Sequence, residues 1–157
     1  LAASHRARTD SDTDPARKGP RGVTQTREVT MSEDNKAWFR KNQDEIWNKG
    51  NLDAAGEIFA ADVVIHNATP DNPGGLEGVK YTVSGIRAAF PDIQFAIEGL
   101  IAEGDLIAHR WSITGTQQGE WMGAPPSGEK TTMSGISMVR VANGKIVEIW
   151  SAVSPST

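Results

Sequence analysis

Residues 115–150, GTQQGEWMGAPPSGEKTTMSGISMVRVANGKIVEIW, decide the reading of the fold. The run leaves the polar end of one strand, crosses a loop containing Pro125-Pro126, and enters two β-type segments, 131–141 and 145–153. These are joined at Ala142-Asn143-Gly144, where Asn-Gly supplies the positive backbone angles of a tight hairpin.

Outward from that run, residues 93–101 and 106–116 also read as strands, joined by the compact turn Glu103-Gly104-Asp105. Upstream, residues 79–90 carry Val79, Val83, Ile86 and Phe90 at helical spacing, and Pro91 stops the helix. Residues 63–66 read as a short strand and 52–60 as a short helix. A first helix opens at Ser32 as its cap, places Trp38, Phe39, Ile46 and Trp47 on one side, and ends at Lys49-Gly50. The order ααβαββββ predicts an α+β fold: a cone-shaped α+β barrel in which three N-terminal helices pack on a curved antiparallel sheet enclosing a pocket.

At 157 residues the chain suits one domain. Residues 1–30 hold 6 Lys/Arg and 4 Asp/Glu, show no hydrophobic periodicity, and read as a disordered tail, natural or not, ahead of the domain 31–157. Residues 31–157 hold 10 Lys/Arg against 16 Asp/Glu, an acidic balance that argues against nucleic acid as a partner. No stretch approaches the roughly 18 apolar residues of a membrane span, so no membrane partner is expected and a cytoplasmic location is. With no cysteine and only His5, His66 and His109, the chain lacks the usual zinc ligand set, and no metal is expected.

Several short motifs together resemble one family. They are Gly75-Leu76-Glu77-Gly78, Arg87-Ala88-Ala89-Phe90-Pro91-Asp92, Glu103-Gly104-Asp105, Gly115-Thr116 with Gly119-Glu120, Pro125-Pro126-Ser127-Gly128, and Gly144-Lys145-Ile146-Val147-Glu148 before Trp150. Over about residues 35–153 the chain resembles the SnoaL-like polyketide cyclases, the ester-cyclase-like group of the nuclear-transport-factor-2-like superfold. The resemblance implies ring closure of a polyketide by intramolecular aldol condensation, no cofactor, a hydrophobic small-molecule ligand, and a homodimer formed through the open sheet face. It also implies an Asp acid/base on the last strand and a His on the strand before it. Ser151 and Ser137 stand at those positions, and Gln117 replaces a further His. A serine hydroxyl is no base near neutral pH without a neighbour to take its proton, so the usual mechanism does not carry over.

His66 is the substitute base to weigh, because imidazole is the side chain suited to proton transfer near neutral pH, against a strand-end histidine bonded to its own loop. Asn67 is its polar neighbour. His109 and Arg110 must point to opposite faces of their strand. Arg110 shares the more polar face with Ser112 and Thr114 and is the expected pocket residue, the alternative being a surface ion pair. Trp47, Tyr81, Trp111, Trp121 and Met138 could form a slot for a flat ligand, or simply be core. Residues 121–126 read as a loop over the cavity mouth.

Two functions follow. One is a cofactor-independent cyclase or isomerase acting by proton transfer on a carbonyl substrate, with His66, Ser137 and Ser151 at its centre. The other is a ligand-binding or structural module whose chemistry has been lost. An epoxide-opening relative would want an Asp on the same inward face as Arg110, which the sheet does not offer.

Overall fold

The computed structural model describes residues 21–154, with side chains from residue 32 onward. Helix α1 (Arg21–Gln43) runs into a π-helical turn, Asp44–Asn48. A 3-10 turn (Leu52–Ala54), the one-turn helix α2 (Ala55–Ile58), strand β1 (Phe59–Ile65) and helix α3 (Gly75–Ala89) follow. Four strands complete the chain: β2 (Gln94–Glu103), β3 (Leu106–Thr116), β4 (Lys130–Ala142) and β5 (Lys145–Ser154). Three helices on one curved sheet match the expected α+β class.

The four C-terminal strands lie close to their expected bounds, and Asn143 and Gly144 adopt φ of 52° and 75° in the β4–β5 turn. The helical half departs from expectation. Ser32 is no cap: it lies inside α1, where its hydroxyl donates to the Ala102 carbonyl at 3.2 Å. Of the segment 1–30, residues 21–30 begin α1 and residues 1–20 lie outside the described ones. Helix α2 is shorter than expected because the chain turns extended at Phe59, and α3 begins at Gly75 instead of residue 79.

The sheet order is β1-β5-β4-β3-β2, with β1 parallel to β5 and every other pair antiparallel. The sheet is therefore mixed, one parallel pair more than the antiparallel expectation. Beyond β2, the Asn48 side chain completes the edge: its Oδ1 accepts from Phe95 N at 2.7 Å and its Nδ2 donates to Phe95 O at 3.1 Å. An amide side chain thus supplies the pairing a sixth strand would make and ties the π-helical turn to β2.

The helices cover one face, called here the inner face. Phe39, Ile46, Ile58, Val79 and Val83 pack there against Ile107, Val139 and Ile146. A second apolar cluster joins Phe90, Ile93, Trp111, Ile113 and Met133. Period-2 alternation on β3 and β4 delivers these side chains inward and leaves Arg110, Ser112 and Thr114 outward. At the end of α3, Asp92 accepts both the Thr116 amide (2.7 Å) and its hydroxyl (2.8 Å), which holds its carboxyl below the ordinary aspartate value.

Candidate functional site

Between the two apolar clusters, one polar row crosses the inner face. His109 on β3 pairs with Ser137 on β4, and Ser137 pairs with Ser151 on β5. The flanking rows are Ile107, Val139 and Ile149 on one side and Trp111, Gly135 and Val153 on the other.

Three side chains of this region are hydrogen-bonded in series. The Trp111 indole Nε1–H donates to Ser137 Oγ at 2.9 Å, and Ser137 Oγ lies 2.8 Å from Ser151 Oγ. Gly135 makes this possible, because the indole lies across it: a Cβ there would come within 2.5 Å of Trp111 Cζ2 and 2.6 Å of the Ala152 carbonyl oxygen. Ser137 is buried and Ser151 half-buried, so the series runs from an interior residue to a partly exposed one.

Asn67, just past β1, fixes the backbone of that last serine. Its Oδ1 accepts from Ser151 N at 3.1 Å, and its Nδ2 donates to the Ser151 carbonyl. Like Asn48 at the opposite edge, it pairs with a strand through its side-chain amide, here continuing the line of β1.

His109 is the other polar member of the row. It is 6% exposed, its ring meets Phe39 edge-on at 4.7 Å, and its Nδ1 has no hydrogen-bond partner among the described residues. Burial pushes its pKa down to about 4, so the imidazole is neutral at physiological pH.

The aromatics continue the inner surface. Trp47 stacks on Phe95 at 5.6 Å, and Phe95 stacks on Trp111 at 6.3 Å. Trp47 Nε1 donates to the buried Gln43 Oε1 at 3.0 Å. Beside this row, Arg40, Gln43, Asp44, Asn48, Phe95 and Ile97 line a groove of about 150 Å³. Trp121 meets Phe90 edge-on at 5.9 Å and so fastens its loop to the second cluster.

Of the residues expected at the site, Ser137, Ser151, Asn67 and Trp111 come together, with Trp47 and Trp121 at the adjoining aromatic surface. Five do not. His66 points outward: its Nε2 contacts Glu148 at 2.8 Å and its ring stacks on Trp150 at 4.6 Å, on the face opposite Ser151. That contact, followed by Arg140, holds the Glu148 carboxyl below its ordinary value. Arg110 is likewise outward and exposed, which corrects the face assignment: the more polar side of β3 is the side the helices leave to solvent.

Met138 pairs with Trp150 on that same outer face. Tyr81 is an exposed residue of α3, and its hydroxyl donates to Asp71. Gln117 serves its own loop: Nε2 donates to the carbonyls of Gly119, Ala124 and Pro125 at 3.1–3.3 Å, and Oε1 accepts from Ser127 at 3.1 Å. His109 is the member of the row not expected at the site; strand alternation places it with Trp111 and Ile113, on the apolar side.

This fold, with a polar row crossing the helix-covered face of its sheet, is that of small α+β cone proteins. The sequence profile of the SnoaL-like polyketide cyclases matches residues 39–155, and the chain belongs to that family. Among solved structures it is similar to IdmH of Streptomyces antibioticus, assigned as a polyketide cyclase, with 33% identity over 71% of this chain and 86% of that one (TM-score 0.61). AclR of Streptomyces galilaeus, assigned as a hydroxylase, is 28% identical over 78% and 90% of the two chains (TM-score 0.68). A protein of Acidithiobacillus ferrooxidans assigned as a polyketide cyclase is 29% identical over 76% and 87% (TM-score 0.65). No match is found among curated proteins.

Proposed function

We propose that the protein binds a hydrophobic, polyketide-like carbonyl compound against Trp111, Ser137 and Ser151, as a ligand-binding member of its family. The observation that carries this reading is the hydrogen-bonded series ending at the hydroxyl of the half-buried Ser151, flanked by the Trp47, Phe95 and Trp111 rings. The series contains no carboxylate and no imidazole, so it offers hydrogen bonds without a base of useful strength. Binding by this surface calls for no metal or organic cofactor.

One observation favours a second reading, turnover by proton transfer. His109 Nδ1 is unpartnered among the described residues, on the same face and one strand from Ser137, and in the tautomer that carries its hydrogen on Nε2 it is a proton acceptor where His66 cannot reach. A thermal-shift titration with polyketide-like aromatic ketones, followed by product analysis, tests both. Ligands at 100 times their Kd should stabilise the fold by about 2.7 kcal/mol. Failure of every such ketone to shift the transition would overturn the binding reading. Product formation that His109→Gln abolishes would establish the second reading in its place.

The proposal includes a cytoplasmic homodimer formed through the outer sheet face. Among the described residues no helix covers that face, which presents Val64 (47% exposed), Ile101 (69%) and Ile136 (60%) around Met138 and Trp150. Sedimentation should show a dimer at micromolar concentration that Ile136→Asp converts to monomer; a wild-type monomer would sink this element of the proposal. Among the described residues no helix is long and apolar enough to cross a membrane.

A further inference from the structure

We infer that the Trp111-Ser137-Ser151 series has a fixed direction, so that Ser151 presents a hydroxyl proton and selects ligands by a carbonyl or enolate oxygen placed against it. This deepens the proposed binding function and rests on it.

The direction follows from the indole. Trp111 Nε1–H can only donate, so Ser137 Oγ must accept at 2.9 Å. The one proton of Ser137 then needs an acceptor. Ser137 is 6% exposed, and besides the indole its only side-chain partner among the described residues is Ser151 Oγ at 2.8 Å. If Ser151 donated instead, Ser137 would hold a buried hydroxyl proton with nowhere to place it, an arrangement that costs the desolvation of that group. Ser137 therefore donates to Ser151, and the Ser151 proton is directed onward, from a half-buried position.

Asn67 holds the Ser151 backbone through both its amide and its carbonyl, so the last donor is positioned before a ligand arrives. Each bond polarises the next, which strengthens the terminal donor for an oxygen that gains negative charge. The same polarity makes the series unsuited to removing a proton. Trp111 and Ser137 are positioning residues here, and Ser151 is the group that meets the ligand.

The test compares two probes of one shape, 1-tetralone, which carries an acceptor oxygen, and tetralin, which carries none. Their Kd values are measured by calorimetry on the full chain and its variants. The wild type should prefer 1-tetralone by about 3- to 10-fold beyond the difference seen in Ser151→Ala, which should bind both with the affinity of the hydrocarbon. Ser151→Thr keeps the hydroxyl and should keep the preference; Ser137→Ala should lower it.

Ser151→Asp, whose carboxylate only accepts, should bind 1-tetralone worse than Ser151→Ala does while binding 1-naphthol, a hydroxyl donor, better. In the wild type, bound 1-tetralone labelled with ¹³C at its carbonyl should show a downfield carbonyl shift that is absent in Ser151→Ala. Equal wild-type affinity for 1-tetralone and tetralin, with no carbonyl shift, would overturn the directional donor and leave ligand binding standing. Binding of neither probe by any of the folded proteins would overturn both.

Discussion

Acidification from pH 6.5 to 4 should remove roughly 3 kcal/mol of folding stability through His109 alone. In the unfolded chain this imidazole takes a proton below its ordinary 6.5, whereas in the folded protein burial delays protonation to about 4. Between those values the unfolded state binds more protons, so stability falls as pH falls, by about 1.36 kcal/mol for each unit of separation. Above pH 6.5 the ring is neutral in both states and the effect vanishes. His109→Phe keeps an aromatic ring beside Phe39 and cannot titrate. Urea unfolding at pH 7, 5.5 and 4.5 should therefore show wild type and variant diverging steadily. Carboxylates held below their ordinary values, among them Glu148 and Asp92, add acid lability of their own, but it is common to both proteins and cancels in the difference. Parallel curves would mean that His109 takes up its proton in the folded state as readily as in the unfolded one.

Gly135→Ala should cost roughly 2–3 kcal/mol, the range of overpacking in a filled interior. The added methyl would meet the Trp111 ring at 2.5 and 2.8 Å and the Ala152 carbonyl oxygen at 2.6 Å, and that oxygen belongs to backbone that cannot swing aside. Relief requires the indole to move, which takes its N–H away from Ser137. The indole proton resonance of Trp111 should then shift upfield and exchange faster, alongside the lower midpoint in urea. Gly85→Ala is the control: nothing lies within 4 Å of a Cβ there, and alanine is the better helix former by up to about 1 kcal/mol, so α3 should gain stability. Equal behaviour of the two variants would show that the space above Gly135 is not occupied by the indole.

These expectations depend on a face assignment that the sequence contained and that was easy to invert. The four C-terminal strands and their turns were legible because alternation and turn chemistry are local. The same alternation separates His109 from Arg110, but it says only that they diverge. Which face the helices cover depends on contacts such as Phe39 with His109, far apart in the chain. His66 could have been placed: Val63 and Ile65 point inward, so a period of two sends His66 out. The link from Trp111 to Ser137 was not legible, since it depends on the register of β3 on β4 and on the bare backbone at Gly135. The early start of α1 had no local signal, because residues 21–30 lack the apolar spacing that marks a packed helix.

The parallel pairing of β1 with β5 also bears on how the molecule comes into being. Among the described strands β1 has only the sheet's last strand as its neighbour, with Phe59 opposite Ile146. During synthesis β1 and α3 can pack on each other as they emerge, but β1 lacks its sheet partner, and Val63, Val79 and Val83 lack Ile107, Val139 and Ile146, until β5 has been made. The meander β2 to β5 can form by short-range steps, whereas closure by β1 is the slow, long-range event. Expression yield should thus respond to translation speed and to chaperones that shield β1, even where substitutions leave the finished fold untouched.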